Sequence, residues 1–87
     1  MNDKNRPNLL KRLLYQSCNR GCKETDLIIG KFAKKYLQSM NDQDLIIFDL
    51  ILQMNDADIY DYYTNKKEMP LEFKSKLMTQ IMEFKPS

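Results

Sequence analysis

Apolar residues at helical spacing, capping residues ahead of the apolar runs and a scarcity of glycine and proline predict an all-α protein, a compact five-helix antiparallel bundle. Two glycines and three prolines in 87 residues are too few for a loop-rich β fold, in which tight turns need them repeatedly. At this length a chain forms one domain with a single modest core. No internal repeat, low-complexity tract or linker divides it, so the expectation is one unit over residues 1–87, with a flexible N-terminus over 1–6.

The first helix is expected from about Pro7 to Cys18. Proline suits the opening turn, where its missing N–H costs nothing, and Leu9, Leu10, Leu13, Leu14 and Ser17 recur on one side. Gly21 ends it, at the position that favours a left-handed cap. Thr25 and Asp26 open the second helix, whose apolar face is Ile28, Ile29, Phe32, Ala33, Tyr36, Leu37 and Met40, with Lys31, Lys34 and Lys35 opposite. Ser39 to Asp42 breaks the pattern. Asn41 with Asp44 three residues on resembles a capping box, and the run Leu45 to Leu52 is apolar nearly all round. A capped start and a length of about a dozen residues favour a buried central helix over a strand, despite the β-branched content. Asn55 and Asp58 repeat the capping arrangement ahead of a short helix through Ile59, Tyr60, Tyr62 and Tyr63. Thr64 to Met69 reads as a polar loop. Pro70 starts the last helix, with Leu71, Phe73, Leu77, Ile81 and Phe84 on one face and Met78 and Met82 beside it, and Pro86 stops it.

Composition excludes several function classes. No stretch reaches the ~20 apolar residues that span a bilayer, so no membrane insertion is expected. The N-terminus has no apolar h-region and no small-residue cleavage site, which points to a cytoplasmic protein. Cys18 and Cys22 are the only cysteines and histidine is absent, too few ligands for a closed zinc site; a disulfide is not expected in a reducing compartment. The missing histidine also removes the usual general base and the nucleophilic triads, so the chain reads as a binding protein, not an enzyme. The net charge of +2 is unevenly spread. Lys4, Arg6, Lys11, Arg12, Arg20 and Lys23 make the first part basic, whereas Asn41 to Tyr63 holds six aspartates and no Lys or Arg.

The most informative stretch runs from Arg12 to Leu27, with Arg20-Gly21-x-x-Glu24 at the first helix–helix turn. Phe32-Ala33-x-x-Tyr36-Leu37 follows on the second helix, and Asp56-x-Asp58-Ile59-Tyr60-x-Tyr62 opens the fourth. Together, and in this order from Leu9 to Met82, these resemble the flavinylation factors of succinate dehydrogenase, called succinate dehydrogenase assembly factor 2 in mitochondria. The resemblance implies a five-helix bundle that works as a chaperone-like assembly factor of respiratory complex II. It implies binding to the flavoprotein subunit of succinate dehydrogenase, with the fumarate reductase flavoprotein as a further client, and promotion of covalent FAD attachment to that partner. No cofactor of its own is expected, since the FAD is held by the partner. Mitochondrial members carry a presequence, so its absence here points to a bacterial, cytoplasmic member; a monomer is also expected. One departure is Cys18-Asn19, where relatives have basic residues before the motif arginine; the positive patch there is weaker.

The residues expected to meet the partner are Arg20, Gly21 and Glu24, with Arg12 and Tyr15 on the helix leading into the turn. Taken alone, Arg20 and Glu24 also read as charges that complement the two helix dipoles and stand close enough to pair. Gly21 reads first as a turn residue that avoids strain. Tyr60, Tyr62 and Tyr63 read as bundle packing, and the methionines as core filler. The alternatives are a small helix-turn-helix nucleic-acid binder, suggested by two helices joined at a glycine with lysines on the second, and a generic helical adaptor. Against nucleic acid stand the small net charge and the position of Lys31, Lys34 and Lys35 behind the residues that would read bases.

Overall fold

The computed structural model describes residues 5–86 and contains five α-helices: α1 (Arg6–Cys18), α2 (Lys23–Tyr36), α3 (Asp42–Leu52), α4 (Asp56–Tyr63) and α5 (Lys76–Glu83). Short 3-10 turns at Leu37–Ser39 and Leu71–Phe73 complete the described elements, and no strand is among them. Of the N-terminal segment expected to be flexible, residues 1–4 lie outside the described residues. Arg6 already belongs to α1, and its guanidinium donates to Asp42 at 2.8 Å and to the Met40 carbonyl, tying the start of α1 to the start of α3.

The helix ends follow local chemistry. Asn41 and Asn55 act as N-caps, each side chain accepting from the backbone N–H three residues on, at 2.8 Å in both cases. Gly21 stands at φ +86°, the left-handed region that glycine enters without the penalty of a Cβ. α2 starts at Lys23, two residues earlier than expected, with Cys22 as its extended N-cap residue.

Two expectations need correction. The last helix does not start at Pro70. Pro70 leads only into the 3-10 turn, Lys74 turns extended, and α5 starts afresh behind Ser75, whose hydroxyl accepts from the Met78 N–H at 3.0 Å. A capping hydroxyl competes with helix continuation, and here it wins. Leu71 therefore leaves the predicted apolar face and is 82% exposed. Secondly, α3 is not buried all round: Leu45, Phe48, Ile51 and Leu52 enter the core, while Ile46 and Leu50 face solvent. A small bundle lacks enough neighbouring helices to cover every side of one of them.

The core joins Leu13 of α1 and Ile28, Ile29, Phe32 and Ala33 of α2 to Phe48, Ile59, Met78 and Ile81 of the other helices. Phe32 is its aromatic centre, 4.9 Å from the Tyr36 ring and 5.5 Å, edge-on, from Phe84. Tyr60, Tyr62 and Tyr63 pack against this core as expected, and the Tyr63 hydroxyl donates to the Phe84 carbonyl at 2.7 Å. Gly30 lets α1 and α2 approach: a Cβ there would lie 3.2 Å from the Cys18 sulfur and 3.3 Å from the Ser17 carbonyl oxygen.

Candidate functional site

The α1–α2 turn, Asn19 to Cys22, is held from below. Its anchor is Arg20, whose side chain is only 8% exposed. Nε donates to Asp56 Oδ1 at 2.6 Å, Nη1 to the Leu52 carbonyl at 2.8 Å, and Nη2 to the Met54 carbonyl. The last carbonyls of a helix have no partner within it and carry the negative end of its dipole. Arg20 thus caps the C-terminal end of α3 and pairs with an acid in the first turn of α4. The planar guanidinium meets all three acceptors at once, which an ammonium could not do with the same fixed fork. Thr25, fully buried, donates its hydroxyl to the same Asp56 oxygen at 2.9 Å, and the Arg20 backbone N–H donates to Asp26 Oδ1 at 2.6 Å.

Arg20 and Glu24 therefore do not pair, contrary to the expectation from their spacing. Three acceptors at the α3–α4 corner outcompete one solvent-facing carboxylate. Glu24 remains exposed in the first turn of α2 and accepts instead from the Cys22 thiol at 3.3 Å. Its own backbone N–H, and then the thiol, hold its carboxyl below the usual value, so it is ionised at neutral pH. Gly21 is exposed, and a Cβ built on it would meet nothing within 4 Å. Cys18 and Cys22 are free thiols.

Tyr15 is 69% exposed, one helical turn before the α1–α2 turn, and the side chain of Asn19 donates to its carbonyl at 2.9 Å. Arg12, Tyr15 and Asn19 share one stripe of α1 by their spacing. Arg12 pairs with Asp49 of α3 at 3.2 Å. The structure thus leaves Gly21 and Glu24 exposed at the turn and Tyr15 and Arg12 exposed on α1, and turns the Arg20 side chain inward. The sequence reading missed Asp56, Thr25 and Asp26 as the supports of this turn. Asp56 was visible only as part of a motif, and nothing local marks a partner 36 positions from Arg20.

The arrangement is a turn anchored by hydrogen bonds from inside, with an ionised carboxylate facing solvent. No helix among the described residues is long and apolar enough to cross a membrane.

A family model described as flavinator of succinate dehydrogenase matches residues 11–85. Succinate dehydrogenase assembly factor 2, mitochondrial, of Saccharomyces cerevisiae is 48% identical over 77 residues, covering 84% of this chain and 48% of the yeast protein. Its counterpart in Dictyostelium discoideum is 39% identical over 73 residues, covering 84% of this chain and 52% of that protein. Assembly factor 2-A of Drosophila willistoni is 39% identical over 75 residues, covering 84% and 48%. The chain spans about half the length of these curated relatives. All three are named mitochondrial, which does not support the bacterial, cytoplasmic setting expected from the sequence.

Proposed function

The chain belongs to the family of succinate dehydrogenase flavinators, and from that premise we propose that it is an assembly factor that binds the flavoprotein subunit of succinate dehydrogenase and promotes covalent attachment of FAD to it. One observation carries the docking mode: Arg20 fixes the α1–α2 turn from inside, while Gly21 and Glu24 stay open to solvent above it. Gly21, Glu24, Tyr15 and Arg12 form the contact surface in this reading. Arg20 contributes by holding that surface in place.

The electrophilic flavin ring and the client's own side chains supply the bond-forming chemistry. The factor's part is to bind one client conformation more tightly than others, and that difference in affinity sets how far the population shifts. A rigid turn is suited to this, because little ordering entropy is lost on docking. The chain acts as a monomer in this reading and holds no flavin itself; the FAD belongs to the client. The fumarate reductase flavoprotein is a second client to be tried. The relatives' names favour a mitochondrial setting over a bacterial cytoplasm. A helix-turn-helix reading gains nothing from the geometry, since the first turn of α2 carries Glu24 and Asp26 where bases would be read.

The test is to produce the flavoprotein subunit in cells lacking any endogenous factor, with and without this chain, and to measure in-gel flavin fluorescence and co-purification. We expect covalent flavin and a captured flavoprotein only when the chain is present. Equal flavinylation in both cultures overturns the reading.

A further inference from the structure

The outer face of the α1–α2 hairpin carries two hollows side by side. The first, about 260 Å³, has Ala33 and Leu37 in its lining, with Leu10 and Leu14 of α1 beside them. Ala33 and Leu37 are buried, so they form its floor, and Leu14 is 36% exposed. Lys11 and Lys34, both exposed, line its edge, and no carboxylate does. The second hollow, about 300 Å³, shares Lys34 and runs on toward the Gly21 turn past Leu27, which is 46% exposed, and Lys23. Its one carboxylate is Asp26, already bonded to the Arg20 N–H. The face is therefore an aliphatic trough with a cationic rim, leading to the turn that carries Glu24.

We propose that this trough seats an acidic amphipathic segment of the client flavoprotein, with its aliphatic side chains against Leu10, Leu14 and Leu37 and its carboxylates against Lys11 and Lys34. The proposal rests on the assembly-factor reading and extends its contact surface along the hairpin. Charge selects the occupant, since complementary potentials steer encounter and penalise a basic partner. Shape selects against nucleic acid: the floor is aliphatic, with no aromatic face on which a base could stack. A second copy of this chain is a poorer fit. Its α3 does expose Ile46 and Leu50, but the neighbouring Asp42 and Asp49 already pair with Arg6 and Arg12 of their own molecule.

The experiment measures affinity of the full chain for the immobilised apo-flavoprotein subunit of succinate dehydrogenase at low and high salt. The variants are Lys11→Glu with Lys34→Glu, Leu14→Gln, and a control of equal charge change away from the trough, Lys66→Glu with Lys76→Glu. All four lysines are exposed, so folding is expected to survive, and circular dichroism checks it. The double rim variant should bind about tenfold more weakly at low salt and lose most of the salt dependence of the wild type. Leu14→Gln should weaken binding about threefold or more while keeping the salt dependence. The control should stay within about twofold of wild type. Unchanged binding by the rim variant, an equal loss in the control, or sedimentation showing a wild-type dimer that the rim variant dissociates, each overturns the trough as a client site. A wild-type chain that fails to bind the flavoprotein overturns the assembly-factor reading as well. Binding that Gly21→Arg abolishes and the rim variant leaves intact overturns the trough alone.

Discussion

Within the α1–α2 turn, two charged residues of one motif have opposite roles. Arg20 is largely buried with three acceptors, whereas Glu24 stands in water. Arg20→Ala leaves Asp56 and the Leu52 and Met54 carbonyls short of donors. Breaking a buried pair costs about 3–5 kcal/mol, and the partial exposure of Asp56 brings the expected loss to about 2–3 kcal/mol. At roughly 4 °C or more per kcal/mol for a domain of this size, Tm should fall by about 8 °C or more. Glu24→Ala should shift Tm little and weaken client binding. Thermal melts paired with affinity measurements on the folded fraction distinguish the two, and a Glu24→Ala melt as low as that of Arg20→Ala would contradict the assignment. Gly21→Arg differs again. The space around its Cβ is open, so the cost is the strain of φ +86°, about 1–2 kcal/mol, and the protein should stay helical by circular dichroism. The new side chain stands on the docking edge, so covalent flavinylation of a co-produced client should be lost.

Among the helices, what could be read from sequence was whatever local spacing encodes. The apolar stripe of α2 and the Asn41 and Asn55 caps lie within a few residues of the features they explain. The α5 boundary is ambiguous in the sequence because Pro70 and Ser75 both signal a helix start, and the structure starts α5 behind the Ser75 cap. Ser75→Ala should therefore destabilise by about 1 kcal/mol, the usual value of an N-cap, with a Tm shift of roughly 4–8 °C. An unchanged Tm would mean that α5 can extend back toward Pro70 at no cost. The close approach of α1 and α2 at Gly30 was likewise hidden, since glycine inside a helix reads only as a weak propensity. Gly30→Val would place side-chain carbon against the Ser17 carbonyl, which belongs to backbone and cannot rotate away. Overpacking of this kind costs about 1–3 kcal/mol, measurable by denaturant titration as a lower midpoint.

Across the whole molecule, what binds the bundle electrostatically is long-range: Arg6 to Asp42, Arg12 to Asp49 and Arg20 to Asp56 all join the basic first part of the chain to its aspartate-rich middle. The charge asymmetry was visible in the sequence, but its pairing required the helices to be placed. That pairing bears on stability against pH. The sequence has no histidine, so no group of that type titrates across neutrality. Glu24 and Asp58 have carboxyls held below their ordinary values of 4.5 and 3.8, Glu24 by its own backbone N–H and the Cys22 thiol, Asp58 by Lys67. A depressed folded value means that each contributes stability above its ordinary value and loses it as pH falls through the folded one. Lys67 has the opposite sign. Its ammonium is raised above 10.5, chiefly by Asp58, so its contribution is complete below 10.5 and is lost as pH rises through the folded value. As far as these groups set it, Tm should therefore be flat from about pH 5.5 to about 9.5 and decline beyond either end. These groups are exposed, so both declines should be shallow and should shrink in high salt. Asp58→Asn removes a depressed carboxylate and the main cause of the raised lysine together, so it should soften the acid and the alkaline limbs at once. Calorimetry across pH with and without added salt checks this. A steep change in Tm between pH 6 and 7.5 would contradict it, because it would require a titrating group that neither the composition nor the pairing supplies.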